Sequence, residues 1–281
     1  MSVHRFASVA LSLLIGFAPL TACAQAQPKA ADYTPQVGQA GKDVIWVPTP
    51  EALIERMLNM AKVTANDYVI DLGSGDGRTV IMAVKKFGAT AMGIEYNPEM
   101  VALSQRNAER EGVTAKARFA KADIFESDFS KAQVITMYLL PDLNLRLRPK
   151  LLDMKPGTRL VSHAFTMGDW EPDQRAEVES RSAMLWIVPA KVAGTWALRG
   201  PNGSYDVDVK QTYQKLAGTV RRGASSVAIE EGKMDGENIA FSFNEGGKRV
   251  RFVGKVAGDN LTGALDGGAV AQINWTGTRR R

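Results

Sequence analysis

From about Asp43 to Ala190 short apolar runs alternate with stretches whose apolar residues recur at helical spacing, the pattern of a mostly parallel sheet covered by helices. Leu53, Ile54, Met57, Leu58 and Ala61 share one helical face. Thr49-Pro50-Glu51 is expected to start that helix, with a threonine cap, a proline in the first turn and an acid near the positive end of the dipole. Tyr68 to Leu72 reads as a buried strand running into a glycine loop, and Thr79 to Phe87 as a helix closed by Gly88. Strand 91–95, helix 98–111, strands 117–119 and 134–138, helix 143–152 and strands 159–165 and 184–188 complete the alternation.

The pattern changes near Lys191. Residues 191–281 carry 15 of the 26 glycines, so their apolar runs are short and punctuated by turns. Eight strands are predicted there, over 194–198, 205–212, 216–221, 227–230, 239–243, 250–256, 261–265 and 270–275. Asn202-Gly203, Gly246-Gly247 and Gly267-Gly268 are hairpin-type turns between them. The expected fold class is α/β, a Rossmann-like domain over residues 43–190 followed by a small antiparallel all-β domain over 191–281.

The first 24 residues stand apart. His4 and Arg5 precede an apolar stretch from Phe6 to Leu20, and small residues follow in Thr21-Ala22-Cys23-Ala24, the layout of a secretory signal peptide. Cleavage after Ala24 fits the small-x-small rule, while Leu20-Thr21-Ala22-Cys23 fits a bacterial lipobox that lipidates Cys23. Cys23 is the single cysteine, so no disulfide forms within the chain. Residues 25–42, rich in Ala, Gln, Pro and Gly, read as a flexible tether. The expected location is therefore outside the cytoplasm, periplasmic or held to the membrane by a lipid on Cys23. A net charge of +5, clustered only at Arg221-Arg222 and Arg279-Arg280-Arg281, reads as solvated ends and turns, and no nucleic-acid partner is expected. No metal site is expected.

The chemistry concentrates in Asp71-Leu72-Gly73-Ser74-Gly75-Asp76-Gly77, after one strand and before a helix. Glycines there allow a sharp turn and bring backbone amides close to a ligand. The spacing is Gly-x-Gly-x-Gly, not the Gly-x-Gly-x-x-Gly that seats a pyrophosphate. S-adenosylmethionine (SAM) has no phosphate and carries a positive sulfonium, which suits an acidic rim from Asp71 and Asp76. Glu95 ends the next strand, where a carboxylate accepts both ribose hydroxyl hydrogens. Asp123-Ile124 follows the third strand, an acid for the adenine amino group and an apolar side chain for the ring. Taken singly, Asp71 or Asp76 also reads as a helix cap and Glu95 as a solvated strand end; their order on successive strands favours the cofactor.

Val47-Pro48-Thr49-Pro50, Asp71 to Arg78, Gly93-Ile94-Glu95-Tyr96-Asn97-Pro98 and His163-Ala164-Phe165 with Trp170-Glu171-Pro172-Asp173 resemble the lysine methyltransferases of the mitochondrial ATP synthase c-subunit and their bacterial relatives. The resemblance spans Val44 to Asp173. It implies a seven-strand methyltransferase fold, SAM as donor and a protein lysine or other amine as acceptor. It also implies that Trp46 and Pro48 close over the cofactor. Tyr138-Leu139-Leu140-Pro141 stands where many amino-group methyltransferases carry Asn/Asp-Pro-Pro-Tyr/Phe; it lacks the Asn/Asp and keeps one proline. Tyr138 is thus a candidate to orient or shield the acceptor beside Pro141, against a core tyrosine. His163 is a candidate general base, against a structural histidine. Trp170 either walls the acceptor pocket or caps a core.

Two other classes compete. An exported chain lies apart from the cytoplasm in which SAM is made, which motivates a non-catalytic SAM-binding or scaffold protein of the cell envelope. An NAD-type oxidoreductase is disfavoured by the loop spacing and by the lack of an evident catalytic pair.

Overall fold

The computed structural model describes residues 33–201, 203–266 and 273–280. The signal-peptide segment with Cys23, residues 25–32 of the tether and the Gly267-Gly268 turn lie outside the described residues, and so does Asn202 of the Asn202-Gly203 turn. Thr34–Arg281 form one compact unit.

The organising strand is β1 (Tyr68–Leu72), whose Val69, Ile70, Asp71 and Leu72 are all buried. Strands with both faces covered read as continuous apolar runs, and this one was legible for that reason. In chain order the first sheet is built from α1 (Glu51–Met60), β1, α2 (Arg78–Phe87), β2 (Thr90–Glu95), α3 (Pro98–Arg110), β3 (Ala117–Lys121), β4 (Val134–Met137), α4 (Pro141–Leu152), β5 (Arg159–His163), β6 (Gln174–Val178) and β7 (Arg181–Ile187). The strands lie in the order β3-β2-β1-β4-β5-β7-β6. β1 pairs in parallel with β2 and β4, β2 with β3 and β4 with β5, while β7 runs antiparallel to β5 and β6. The order turns around between β1 and β2 on one side and β4 on the other, so the carboxyl ends of these strands open a crevice at a topological switch point.

Two apolar cores flank the sheet. One packs α1 and α2 through Leu53, Ile54, Leu58, Val80 and Ala83. The other packs α4 through Leu143, Leu147 and Leu151 against Met137, Trp170 and Trp186. At ~2 kcal/mol per fully buried large aliphatic side chain, each layer contributes several kcal/mol before chain entropy is counted.

β8 (Gly194–Gly200), β9 (Gly203–Thr212), β10 (Lys215–Arg222), β11 (Ser225–Ala228), β12 (Glu230–Asp235), β13 (Asn238–Glu245), β14 (Lys248–Ala257), β15 (Asn260–Asp266) and β16 (Ile273–Arg279) form the second sheet. Because β9 also pairs with β10, the strands other than β11 close into an eight-stranded antiparallel barrel, with β11 laid along part of β10. Its interior is filled by Trp196, Tyr205, Phe241, Phe243, Phe252 and Trp275. Gly246 and Gly247, at φ 57° and 78°, make the β13–β14 turn at angles that L side chains resist.

Three local expectations are corrected. Thr49 is not the helix cap: Pro50 takes that position, without a side-chain cap, and the Thr49 hydroxyl pairs elsewhere. Residues 34–42 are not a loose tether. They fold into a strap, closed by a bridge between Ala40 and Ile45 and by Gly38 N–H donating to Trp46 O and Trp46 N–H to Gln39 O, both at 2.9 Å. The run expected as one strand over 227–230 is divided between β11 and β12.

Candidate active site

The glycine loop leaves β1 at Leu72 and enters α2 at Arg78. Gly73, Gly75 and Gly77 sit at φ 77°, 53° and 82°. A Cβ on Gly75 would lie 2.7 Å from the Trp46 indole nitrogen, so the loop and the strap approach each other at a distance that only glycine permits. The loop is held from below by side chains that the sequence reading did not single out. Ser104 Oγ donates to Gly75 O at 2.8 Å, and Asn107 Nδ2 to Asp76 O at 2.8 Å, both from α3. Their signal is weak in a sequence, because a polar residue on the inner face of a helix reads equally as a local i−4 bond.

One cavity at the carboxyl ends of β1, β2 and β4 brings together Asp71, Gly73, Ser74, Gly75, Asp76, Glu95, Asp123 and Ile124 with Trp46, Pro48 and Tyr138. Gly77 is next to it, as the N-cap of α2, with Phe119 packed where a side chain would go. Three residues lie away from the cavity wall. Pro141 opens α4 and is exposed. His163 lies behind Tyr138, its ring 3.7 Å from the tyrosine ring and stacked on it. Trp170 does not wall the pocket: it is fully buried, its indole N–H donates to Gln214 Oε1 at 3.0 Å, and it stacks on Tyr213. It joins the α/β layer to the barrel, because a large apolar ring with one donor is best satisfied where both a core and a polar partner are at hand.

The acids divide the work unequally. Glu95 accepts from Gly75 N–H at 2.9 Å with one oxygen and from Asn97 N–H at 2.9 Å with the other, which fixes its carboxylate at the lip of β2. Asp76 is chelated by Arg78, with Nη2 to Oδ2 at 2.6 Å and Nε to Oδ1 at 3.0 Å, so it adds less free negative charge than the sequence implied. Arg78 also reaches the backbone oxygen of Thr49 at 3.3 Å, tying the loop to the strap. Asp71 is almost fully buried and accepts from Thr136 Oγ1 at 2.6 Å. Burial pushes its carboxyl up to about 7, against the opposing pull of the Thr136 and Thr79 hydroxyls, and Glu95 and Asp76 add repulsion. Asp123 pairs with Lys42 of the strap and accepts from Phe125 N–H at 2.8 Å; the hydrogen bond from Lys42 holds its carboxyl below the usual range.

Whether SAM fits is tested by groups left over. Ser74 Oγ is buried, lines the cavity and has no hydrogen-bond partner among the described residues. An orphaned hydroxyl inside a glycine cradle marks a place for a polar ligand atom. Glu95 keeps lone pairs free for two more donors. Tyr138, Leu139, Leu140 and Phe165 give the far side of the cavity an aromatic and aliphatic lining, with no acid among them.

Known proteins are similar to this chain over the segment that builds the cavity. The profile of the ANTKMT methyltransferase domain matches residues 71–174. A protein-lysine N-methyltransferase of Saccharolobus islandicus is 47% identical over 138 residues, 48% of this chain and 86% of that protein. The human lysine N-methyltransferase named for the ATP synthase c-subunit is 36% identical over 129 residues, 46% of this chain, and the match spans 54% of the human protein's length. A crystal structure described as an RNA methyltransferase from Salinibacter ruber, in complex with S-adenosyl-L-homocysteine, shares 44% identity over 52% of this chain and 96% of its own, with a TM-score of 0.51. With most of the archaeal enzyme matched and the glycine loop, Glu95 and Asp123 gathered on one cavity, the chain belongs to this family of class I SAM-dependent methyltransferases.

Proposed function

We propose that this chain transfers the methyl group of SAM to the side-chain amine of a lysine in a protein. What carries the acceptor assignment is the set of relatives named as lysine N-methyltransferases, matched over the segment that builds the cavity. Glu95 accepts the ribose hydroxyl hydrogens, and Ser74 with the loop amides receives the amino-acid end. Ile124 packs on the adenine, and Asp123 accepts from its amino group. Bound there, SAM supplies a methyl group on a positive sulfonium, and the new N–C bond forms as the S–C bond breaks.

The chain's own contribution is alignment in a dry site. Tyr138, half-buried at the end of β4, is stacked with the rings of His163 and Phe165, and it flanks the acceptor amine. His163 positions that ring and does not take the proton: burial and nearby Arg181 pull its imidazole down to about 4, too weak a base for an ammonium near neutral pH. The non-catalytic reading has no support in the relatives found.

The test is transfer of a labelled methyl group from SAM to envelope protein and to poly-L-lysine, followed by acid hydrolysis. Label recovered as methyl-lysine is expected. The description of the Salinibacter structure favours one rival, methylation of RNA, so RNA is offered in parallel; label there and none on lysine overturns the proposal.

A further inference from the structure

The turn between β9 and β10 breaks a local rule. Its residues are Tyr213 and Gln214, and Tyr213 takes φ 54°, a left-handed conformation that bulky side chains resist and that glycine or asparagine fills in ordinary hairpins. Gln214 is only 6% exposed, although glutamine at a turn normally faces water. Backbone strain of this kind persists where the surrounding contacts over-determine it.

Those contacts go to the connection between β5 and β6, residues 164–173, and to α4. Gln214 accepts from the Trp170 indole, and its Nε2 donates to Glu171 O at 2.7 Å. The Tyr213 ring stacks on Trp170 with centroids 5.7 Å apart, and its hydroxyl donates to Asp169 Oδ1 at 3.0 Å. Arg148 of α4 completes the clamp. Its guanidinium carbon lies 5.5 Å from the centre of the Tyr213 ring, and its Nη1 donates to Met167 O at 2.8 Å. Gly168 approaches α4 so closely that a Cβ there would come 2.8 Å from Leu145.

The two clamped elements carry the acceptor side of the cavity. Leu143 comes from α4, Leu140 caps that helix, and Phe165 opens the connection and stacks with Tyr138. The residues assigned to SAM stand instead at the ends of β1, β2 and β3. The matched segment is most of the archaeal enzyme and nearly all of the Salinibacter chain, so neither has room for a barrel besides. In this chain the barrel is an addition to the catalytic fold, and the turn at Tyr213 ties it to the acceptor wall. We propose that Tyr213, anchored by Gln214, is a positioning residue for the methyl acceptor, through which the barrel sets that wall while SAM binding is left to the α/β domain. The inference rests on the proposed lysine transfer only for the identity of the acceptor.

Tyr213→Gly tests it, because glycine suits the left-handed turn and the hairpin is kept while ring and hydroxyl are lost. Against poly-L-lysine this variant should lose about tenfold in kcat/KM, less than the ~100-fold that a misplacement of 1 Å costs, with SAM affinity by calorimetry within about twofold of the parent. Tyr213→Phe keeps the stack on Trp170 and the place beside Arg148, and should recover most of the loss. Hydrogen exchange of the SAM-bound protein is a readout that needs no acceptor. Amides of 164–170 should exchange faster in Tyr213→Gly, and those of 71–78 at the parent rate. Unchanged kcat/KM in folded Tyr213→Gly overturns the inference, as does a loss that Tyr213→Phe does not recover. A fall in SAM affinity in step with transfer also overturns it, by making the turn a general brace. If the parent itself transfers no methyl group to lysine, the lysine reading fails on its own and exchange decides: faster exchange confined to 164–170 supports the positioning role, and equal exchange overturns it.

Discussion

Thr49 Oγ1 lies 3.1 Å from Nδ1 of His163, a contact between the covering strap and a residue 114 positions further along the chain. The imidazole in turn lies flat under Tyr138. One neutral ring therefore sets both the closing element and the aromatic wall of the acceptor side. His163→Phe keeps the stacking and loses the bond to Thr49, so it should retain Tyr138 in place but loosen the strap. SAM is expected to dissociate several-fold faster, from loss of one hydrogen bond of about 1 kcal/mol, with stopped-flow exchange as the measurement.

His163 also sets a pH dependence. Its pKa is depressed from about 6.5 to about 4 by burial first and by Arg181 second. A depressed histidine stabilises the fold fully above its unfolded value and loses that contribution as pH falls from about 6.5 through about 4. Thermal melts over this window should decline in the parent and decline less in His163→Phe. The methyl-transfer rate should show no inflection from His163 above pH 6.

Asp71 behaves in the opposite sense. Its carboxyl is raised to about 7, so the folded chain keeps a proton that the unfolded chain has already released. Stability from this group is complete below about 4 and is lost as pH rises through about 7. Asp71→Asn should flatten the decline in melting temperature between pH 5 and 8. The sulfonium and ammonium of SAM favour the ionised acid, so binding should expel a proton. SAM affinity is expected to rise about tenfold from pH 6 to 8, the limit for one linked proton, and titrations in buffers of different ionisation enthalpy should report its release.

How much of this was legible follows from the physics of each signal. β1 announced itself because a strand buried on both faces cannot alternate, and the loop after it because glycines at positive φ have few substitutes. The short edge strand β6, Gln174–Val178, is polar and half-exposed, so its sequence carries no period and its existence depends on pairing with β7. Thr49 followed by Pro50 and Glu51 looks like a cap, yet the hydroxyl goes to His163; tertiary context decided between two local uses of the same side chain. The Lys42–Asp123 pair links residues 81 positions apart, and nothing local in either neighbourhood predicts it. Trp170 was ambiguous for the same reason, since its partner Gln214 lies in the barrel.

Trp170→Ala separates the two uses of that residue. Removing a fully buried tryptophan from the junction should cost about 3–5 kcal/mol of stability and leave Gln214 Oε1 without its indole donor, with SAM affinity little changed in the folded fraction. Chemical denaturation together with SAM titration checks it; a loss of SAM affinity at full stability would return Trp170 to the pocket.

The central claim is that Glu95, held by two backbone amides at the lip of the glycine loop, grips SAM. Calorimetric titration of SAM into the folded chain and into Glu95→Ala tests it most directly. One molecule bound per chain, weakened by about 1–3 kcal/mol in the variant through loss of charge-assisted hydrogen bonds, is the predicted result. Equal affinity in both proteins, or no binding by a parent shown to be folded, would contradict it.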